Sequence, residues 1–260
     1  MKMYVVDAFT KELFKGNPAA VCIVNEWPNT ELMRKIAMEN RFSETAFTIK
    51  IDNTHYKLRW FTPGGEIDLC GHATLATAFV VFNKIGVKGD AHKIVFFTKS
   101  GDLIVTKNDD RYEMSFPSYN LKKIPVTNEM TDAFGKTPIE AYLGRDLLCI
   151  FDDENFVKNM NPNQEKLAHL PGLLQHATAK GTKFDCVSRS FAPKLSVPED
   201  PVCGSGHCHI IPYWAKQLNK NDLVAFQASP RSGILYCTYL GKDTILAGNA
   251  VLYSEGKLNI

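Results

Sequence analysis

Residues 70–86 read CGHATLATAFVVFNKIG, and this stretch decides the fold. Its apolar residues fall on nearly every side of a helix, so from Gly71 to Ile85 it has no face to give to water and must be enclosed. Lys84 stands in its last turn and Gly86 ends it. The flanking sequence supplies strands to do the enclosing. Residues 3–8 and 19–24 are β-branched and apolar and meet across Lys15-Gly16-Asn17-Pro18, which predicts a hairpin. Residues 45–51 and 56–61 predict a second, because Tyr56, Leu58 and Trp60 alternate with His55, Lys57 and Arg59. Between the hairpins, Leu32, Met33, Ile36 and Ala37 recur at helical spacing, from a cap at Asn29 or Thr30 to Asn40. Strands at 93–98, 103–107 and 112–116 complete a mostly antiparallel meander around one buried helix.

The second half repeats the plan. Phe61-Thr62-Pro63 returns as Phe191-Ala192-Pro193, 130 residues later; Cys70-Gly71 returns as Cys203-Gly204, 133 later; Ser100-Gly101 returns as Ser232-Gly233, 132 later. Three anchors in one order at almost one spacing predict a duplication. The expected architecture is α+β with two pseudo-symmetric domains, residues 1–120 and 121–260, each a β-wrap or barrel around a central buried helix, divided somewhere in 117–135. Phe61–Gly86 and Phe191–Leu218 should match as strand, turn and helix, with Pro212 kinking the second helix or ending its first turns.

Composition narrows the class of function. The chain has 260 residues, 45% apolar and 22% charged, which fits a globular protein and excludes a disordered tail or a membrane span. Thirty Lys+Arg against 28 Asp+Glu give a net charge of +2 with no basic block, which argues against a nucleic-acid partner. The N-terminal MKMYVVDAFTKEL lacks the apolar core of a signal peptide, and seven cysteines form no small-domain disulfide framework, so a reducing cytoplasm is the expected location.

Each Cys-Gly turn opens a helix whose first N–H groups lack intrahelical partners and carry the positive end of the dipole, so each can seat a carboxylate. As ordinary helix starts, the same glycines would only allow tight packing. Glu44, in Arg41-Phe42-Ser43-Glu44-Thr45-Ala46-Phe47, sits between a helix end and a strand among aromatic residues, surroundings that can raise a carboxyl pKa toward neutrality as a proton shuttle needs. A solvent-facing Glu, or one paired with Arg41, is the bland alternative. Asp200 precedes the second turn and is either a cleft carboxylate or a turn-forming Asp before Pro201. Cys203, His207, Cys208 and His209 crowd together, but without a second ligand pair they give no zinc signature. His55, His92, His169 and His176 show no partner spacing and are expected at the surface.

These motifs carry a family resemblance. Asp7-Ala8-Phe9 with Phe14-Lys15-Gly16-Asn17-Pro18-Ala19-Ala20-Val21, then Asn40 to Phe47, Phe61-Thr62-Pro63, Cys70-Gly71-His72-Ala73-Thr74 and Glu199-Asp200-Pro201-Val202-Cys203-Gly204-Ser205, resemble the PhzF-like family of phenazine-biosynthesis isomerases. The resemblance implies a diaminopimelate-epimerase-like fold, an active site between two domains, and a homodimer. It also implies a cofactor-independent, metal-free isomerase acting on a small, usually cyclic, amino-carboxylate. Glu44 would move the proton, His72 and Asp200 would assist and orient, Asn17 would help hold the substrate, and Gly71, Gly204 and Ser205 would receive its carboxylate. Cys203 departs from the phenazine enzymes, and with Cys70 it resembles the paired thiols of amino-acid epimerases and racemases. A two-thiol mechanism is therefore an alternative, since helix N-termini lower thiol pKa values, as is a small-carboxylate-binding protein without turnover.

Overall fold

The computed structural model describes residues 1–260. In chain order the elements are β1 (Lys2–Ala8), β2 (Asn17–Val24), α1 (Thr30–Asn40), β3 (Thr45–Lys50), β4 (His55–Thr62), β5 (Gly65–Ile67), α2 (Gly71–Val80), β6 (Lys93–Thr98), β7 (Gly101–Asn108) and β8 (Arg111–Pro117). Next come β9 (Lys122–Ile124), α3 (Asn128–Phe134), β10 (Glu140–Leu143), β11 (Leu147–Phe151), α4 (Glu154–Asn159), α5 (Gln164–His169), β12 (Gln175–Lys180) and β13 (Cys186–Phe191). The chain closes with α6 (Gly204–Leu218), β14 (Asp222–Gln227), β15 (Gly233–Tyr239), β16 (Asp243–Gly248) and β17 (Ala250–Lys257). It divides into two compact units, Met1–Ser115 with Ala247–Ile260, and Phe116–Leu246. No helix is long and apolar enough to cross a membrane.

The first unit holds both expected hairpins, since β1 pairs antiparallel with β2 and β3 antiparallel with β4. The links between them differ from a meander: β2 pairs in parallel with β3, and β4 in parallel with β6. A parallel step needs a crossover, and α1 and α2 provide one each. The helix α1 begins where the Asn29 side chain accepts from the Leu32 N–H at 2.7 Å, buries Met33, Ile36 and Ala37, and stops at Arg41 in the left-handed region. The helix α2 is buried from His72 to Ala78 and at Val80, lies against β1, β2, β3 and β17, and runs on through a π-helical segment, Val81–Gly86. Gly86 ends it at φ +82°, a conformation that glycine adopts without a Cβ clash.

The duplication is plain in the ladders. In the first unit the successive pairs β17/β1, β1/β2, β2/β3, β3/β4, β4/β6 and β6/β7 are antiparallel, antiparallel, parallel, antiparallel, parallel and antiparallel. In the second, β9/β10, β10/β11, β11/β12, β12/β13, β13/β14 and β14/β15 show the same series. Gly71 and Gly204 each open the enclosed helix of their unit, and a cysteine precedes each at the N-cap. The expected division into 1–120 and 121–260 differs at the C-terminus. There β17 pairs along the whole of β1, so the last 14 residues, Ala247–Ile260, belong to the first unit.

Pro212 neither ends α6 nor shortens its first turns, because the helix continues from Gly204 to Leu218. Proline leaves the carbonyl four residues back without its helical donor. That carbonyl, on Cys208, accepts instead from the Tyr119 N–H at 3.0 Å.

Candidate active site

In the first unit, Glu44 and His72 come together. The left-handed Arg41 turns the chain off α1, and β3 begins at Thr45, fixed by its register to Ala20 and Phe61. The Asn40 amide donates to the Thr45 hydroxyl at 3.1 Å across the intervening turn, which leaves Glu44 at the head of the strand. His72, the second residue of α2, is 6% exposed. Its Nε2 lies 3.0 Å from Oε2 of Glu44, off the line of an ideal hydrogen bond, and neither buried atom has another hydrogen-bond partner. Its Nδ1 lies 3.5 Å from the Cys70 thiol. Glu44 thus turns its buried Oε2 to His72 and not to Arg41, with its side chain 15% exposed.

Burial pulls the His72 pKa down, but Cys70 and Glu44 outweigh it and hold the imidazole well above its usual 6.5. The Cys70 thiol is itself pushed up, by burial first and then by Glu44, so it is uncharged near neutral pH. A protonated imidazole offers no lone pair, so although Glu44, Cys70 and His72 converge, a proton fits the group better than a metal ion. Asn17 is fully buried at the start of β2, the strand that pairs in parallel with β3. Gly16 before it has φ +67°, and a Cβ there would lie 2.1 Å from the Ala8 carbonyl oxygen, so this turn requires glycine.

In the second unit, Asp200, Cys203, Gly204 and Ser205 share one turn. The fully buried Gln227 side chain spans it, donating to the Asp200 carbonyl at 2.6 Å and accepting from the Cys203 N–H at 2.8 Å. Oδ1 of Asp200 accepts from the Val202 N–H at 3.2 Å, the turn-forming role, and the adjacent Glu199 pairs with Arg189 through both oxygens. The Cys203 sulfur caps α6 by accepting from the Gly206 N–H at 3.3 Å and lies 3.5 Å from the Ser205 hydroxyl. Burial, and after it Asp200, pushes the Cys203 thiol well above its usual range. The helix N-terminus does not bring either thiol down, because each lies buried.

A buried polar network that the sequence reading missed stands behind this turn. Asp146 is fully buried and accepts from Arg145 Nε at 3.0 Å, Arg145 Nη2 at 2.6 Å, His176 Nε2 at 3.1 Å and the Leu174 N–H at 3.3 Å. His176 is fully buried, not at the surface, and its Nδ1 lies 3.0 Å from the Ser190 hydroxyl. His209 lies 3.1 Å from the Ser205 carbonyl through Nδ1 and accepts from the Asp146 N–H through Nε2 at 3.2 Å. Asp146, His176 and His209 converge as metal ligands would, yet every imidazole nitrogen already has a protein partner. His207 is likewise engaged by the Cys203 carbonyl at 2.7 Å and the Ser188 hydroxyl at 3.4 Å, and burial lowers both His207 and His209 to about 4.

The two units therefore carry one Cys-Gly helix start each, the first joined to a carboxylate–imidazole pair and the second to a clamped turn, on the alternating ladders of a diaminopimelate-epimerase-like fold. Residues 6–256 match the family described as phenazine biosynthesis-like protein, and the chain belongs to that family. An uncharacterized isomerase of Pseudomonas aeruginosa is 41% identical over 100% of this chain and 99% of its own. The crystal structure of a PhzF-family protein of Enterococcus faecalis is 46% identical, with a TM-score of 0.96 over 100% of this chain and 99% of that one. A hydroxyproline epimerase from Agrobacterium vitis, 9% identical over 98% of this chain and 91% of its own with a TM-score of 0.64, shares the fold alone.

Proposed function

We propose that this chain is a cofactor-independent isomerase that moves a proton on a small amino- or hydroxy-carboxylate, with Glu44 as general acid/base. The observation that carries the reading is the Glu44–His72 contact at 3.0 Å, two titratable groups whose facing atoms have no other hydrogen-bond partner. In the proposed reaction the Glu44 carboxylate takes a proton from one carbon of the substrate and returns it to another position. His72, holding a proton beside it, orients the carboxylate and balances its charge. Gly71, Gly204, Ser205 and the Cys203 turn receive the substrate's carboxylate, Asn17 helps to hold the substrate, and Asp200 orients it.

The two-thiol alternative draws on the 3.5 Å contact between Cys70 and His72. It must deprotonate one of two thiols that burial pushes up, so that the thiolate takes the proton while the other thiol delivers one, whereas Glu44 is a carboxyl group already next to a proton carrier. Deuterium exchange at the substrate carbon, measured over a panel of small amino and hydroxy acids, separates the readings. Glu44→Gln should keep the fold and ligand affinity and lose exchange by more than about 100-fold, while Cys203→Ser costs less than about tenfold. If Cys70→Ser and Cys203→Ser each abolish exchange and Glu44→Gln is mild, the thiols move the proton. If compounds bind to the parent protein and none exchanges, the chain is a binding protein.

A further inference from the structure

Arg145 adjoins Ser205 in the second unit, and the chemistry of that contact fixes what the serine can do. Nη2 of Arg145 donates to the Ser205 hydroxyl oxygen at 2.9 Å. A guanidinium has donors and no acceptor, so Ser205 accepts there and its own O–H is turned away. The only other polar side-chain atom in contact with that hydroxyl is the Cys203 sulfur, at 3.5 Å, a weak acceptor. The hydroxyl is therefore a donor awaiting an acceptor at the start of α6. The arrangement is held from behind on every side. Asp146 grips the guanidinium at Nε and Nη2, the Tyr119 ring lies 5.0 Å beneath it, and His209, stacked on Tyr119 at 4.0 Å, holds the Ser205 carbonyl. Nη1 has no protein acceptor, and the Arg145 side chain is 36% exposed while Asp146 is fully buried, so the free edge of the fork faces outward.

We propose that Arg145 is a specificity-determining residue of this turn: by making Ser205 a donor and adding the outward Nη1, it selects an acceptor-only anionic group, a carboxylate, over the neutral amide of the same skeleton. The assignment rests on the turn's role in the proposed isomerase, but its chemistry can be read without turnover. Arg145 acts on the ligand directly through Nη1 and as a positioning residue through Ser205.

The test uses arginine-15N-labelled full chain, with the Arg145 Nε and Nη resonances assigned by Arg145→Lys, titrated with lactate and with lactamide as paired probes. Saturable shifts of the Arg145 resonances are expected with lactate and not with lactamide. Ser205→Ala, which leaves the Arg145–Asp146 pair intact, should weaken the lactate response by about 10- to 100-fold, the scale of one hydrogen bond to a charged group. Where a carboxylate from the exchange panel turns over, Arg145→Lys and Arg145→Gln should raise KM on that scale, with the lysine variant the milder, and narrow the preference for acid over amide. Equal shifts with lactate and lactamide, or none with either, overturn the assignment, as does an unchanged KM and acid preference in both variants. Selective lactate binding without proton exchange in any compound would sink the isomerase reading and leave Arg145's role standing. Exchange that is indifferent to Arg145 would do the opposite.

Discussion

Replacing Glu44 with Gln removes the anion beside a buried imidazole, and a second buried imidazole of the same molecule gives the scale of the effect. His207, fully buried and hydrogen-bonded to a carbonyl and a hydroxyl but to no carboxylate, has its pKa lowered to about 4 by burial. His72 is buried to nearly the same degree and yet stands well above 6.5. Because the Cys70 thiol is uncharged near neutral pH, Glu44→Gln should carry His72 below 6.5 and toward the value of His207. The fall from 6.5 to about 4 alone is about 2.5 pH units, or about 3 kcal/mol. The sign of the stability effect reverses with it. In the parent, the folded pKa is raised, so the contribution of His72 is fully present below about 6.5 and is lost as pH rises through the folded value. In the variant the folded pKa is depressed, so the contribution is present above about 6.5 and is lost as pH falls. At pH 7 the variant's His72 is neutral, no unpaired charge stays buried, and the destabilisation should be about 1–3 kcal/mol instead of the larger cost of an orphaned ion. Proton and carbon NMR titration of the Cε1 position, assigned with His72→Asn, reads the pKa directly. A His72 that remains charged at pH 7 in Glu44→Gln would refute the assignment of Glu44 as its partner.

Burial of neutral His207 and His209, both at about 4 against 6.5 unfolded, contributes stability above about 6.5 that drains away between pH 6.5 and 4. Urea unfolding at a series of pH values should show a loss of several kcal/mol across that window, and a flat profile would count against it. Gly206 lies where a Cβ would meet His176 Cε1 at 2.7 Å and Cys203 Sγ at 3.2 Å. Gly206→Ala should therefore cost about 1–3 kcal/mol despite the better helix propensity of alanine, whereas Gly256→Ala, with open space around it, should be near neutral. Equal melting temperatures for the two variants would show that His176 gives way.

Much of this could be read from the sequence because it was written locally. An apolar run without a polar face marked α2, alternation marked β4, and the Cys-Gly repeat 133 residues apart marked the duplication. Glu44 and His72 were found through their motifs, not through proximity, since nothing in the spacing of residues 44 and 72 brings them together. The parallel links were lost because a strand's sequence does not name its partner. The Asp146 network was missed for a related reason. His176 lies in QHATAK, where five successive residues of β12 are buried, so both faces are covered and the alternation that marks a strand vanishes. Arg145-Asp146, an ion pair set against Leu147 and Leu148, was the available signal of a buried carboxylate. Gln227, which clamps the Asp200–Cys203 turn, left no signal at all, because an amide's two partners are known only once the chain has folded.

A proline in the body of a helix is the residue that a stabilisation campaign would replace first, and in α6 that would be a mistake. With Ala at 212 the restored N–H would claim the Cys208 carbonyl and compete with Tyr119 for it. Tyr119 is the floor on which the Arg145 guanidinium and the His209 ring both rest. A substitution that improves the helix by every local measure would thus loosen a segment 93 residues earlier in the chain and unseat the fork that addresses Ser205. The defect in the helix works as a reserved socket, kept open by a residue that cannot fill it.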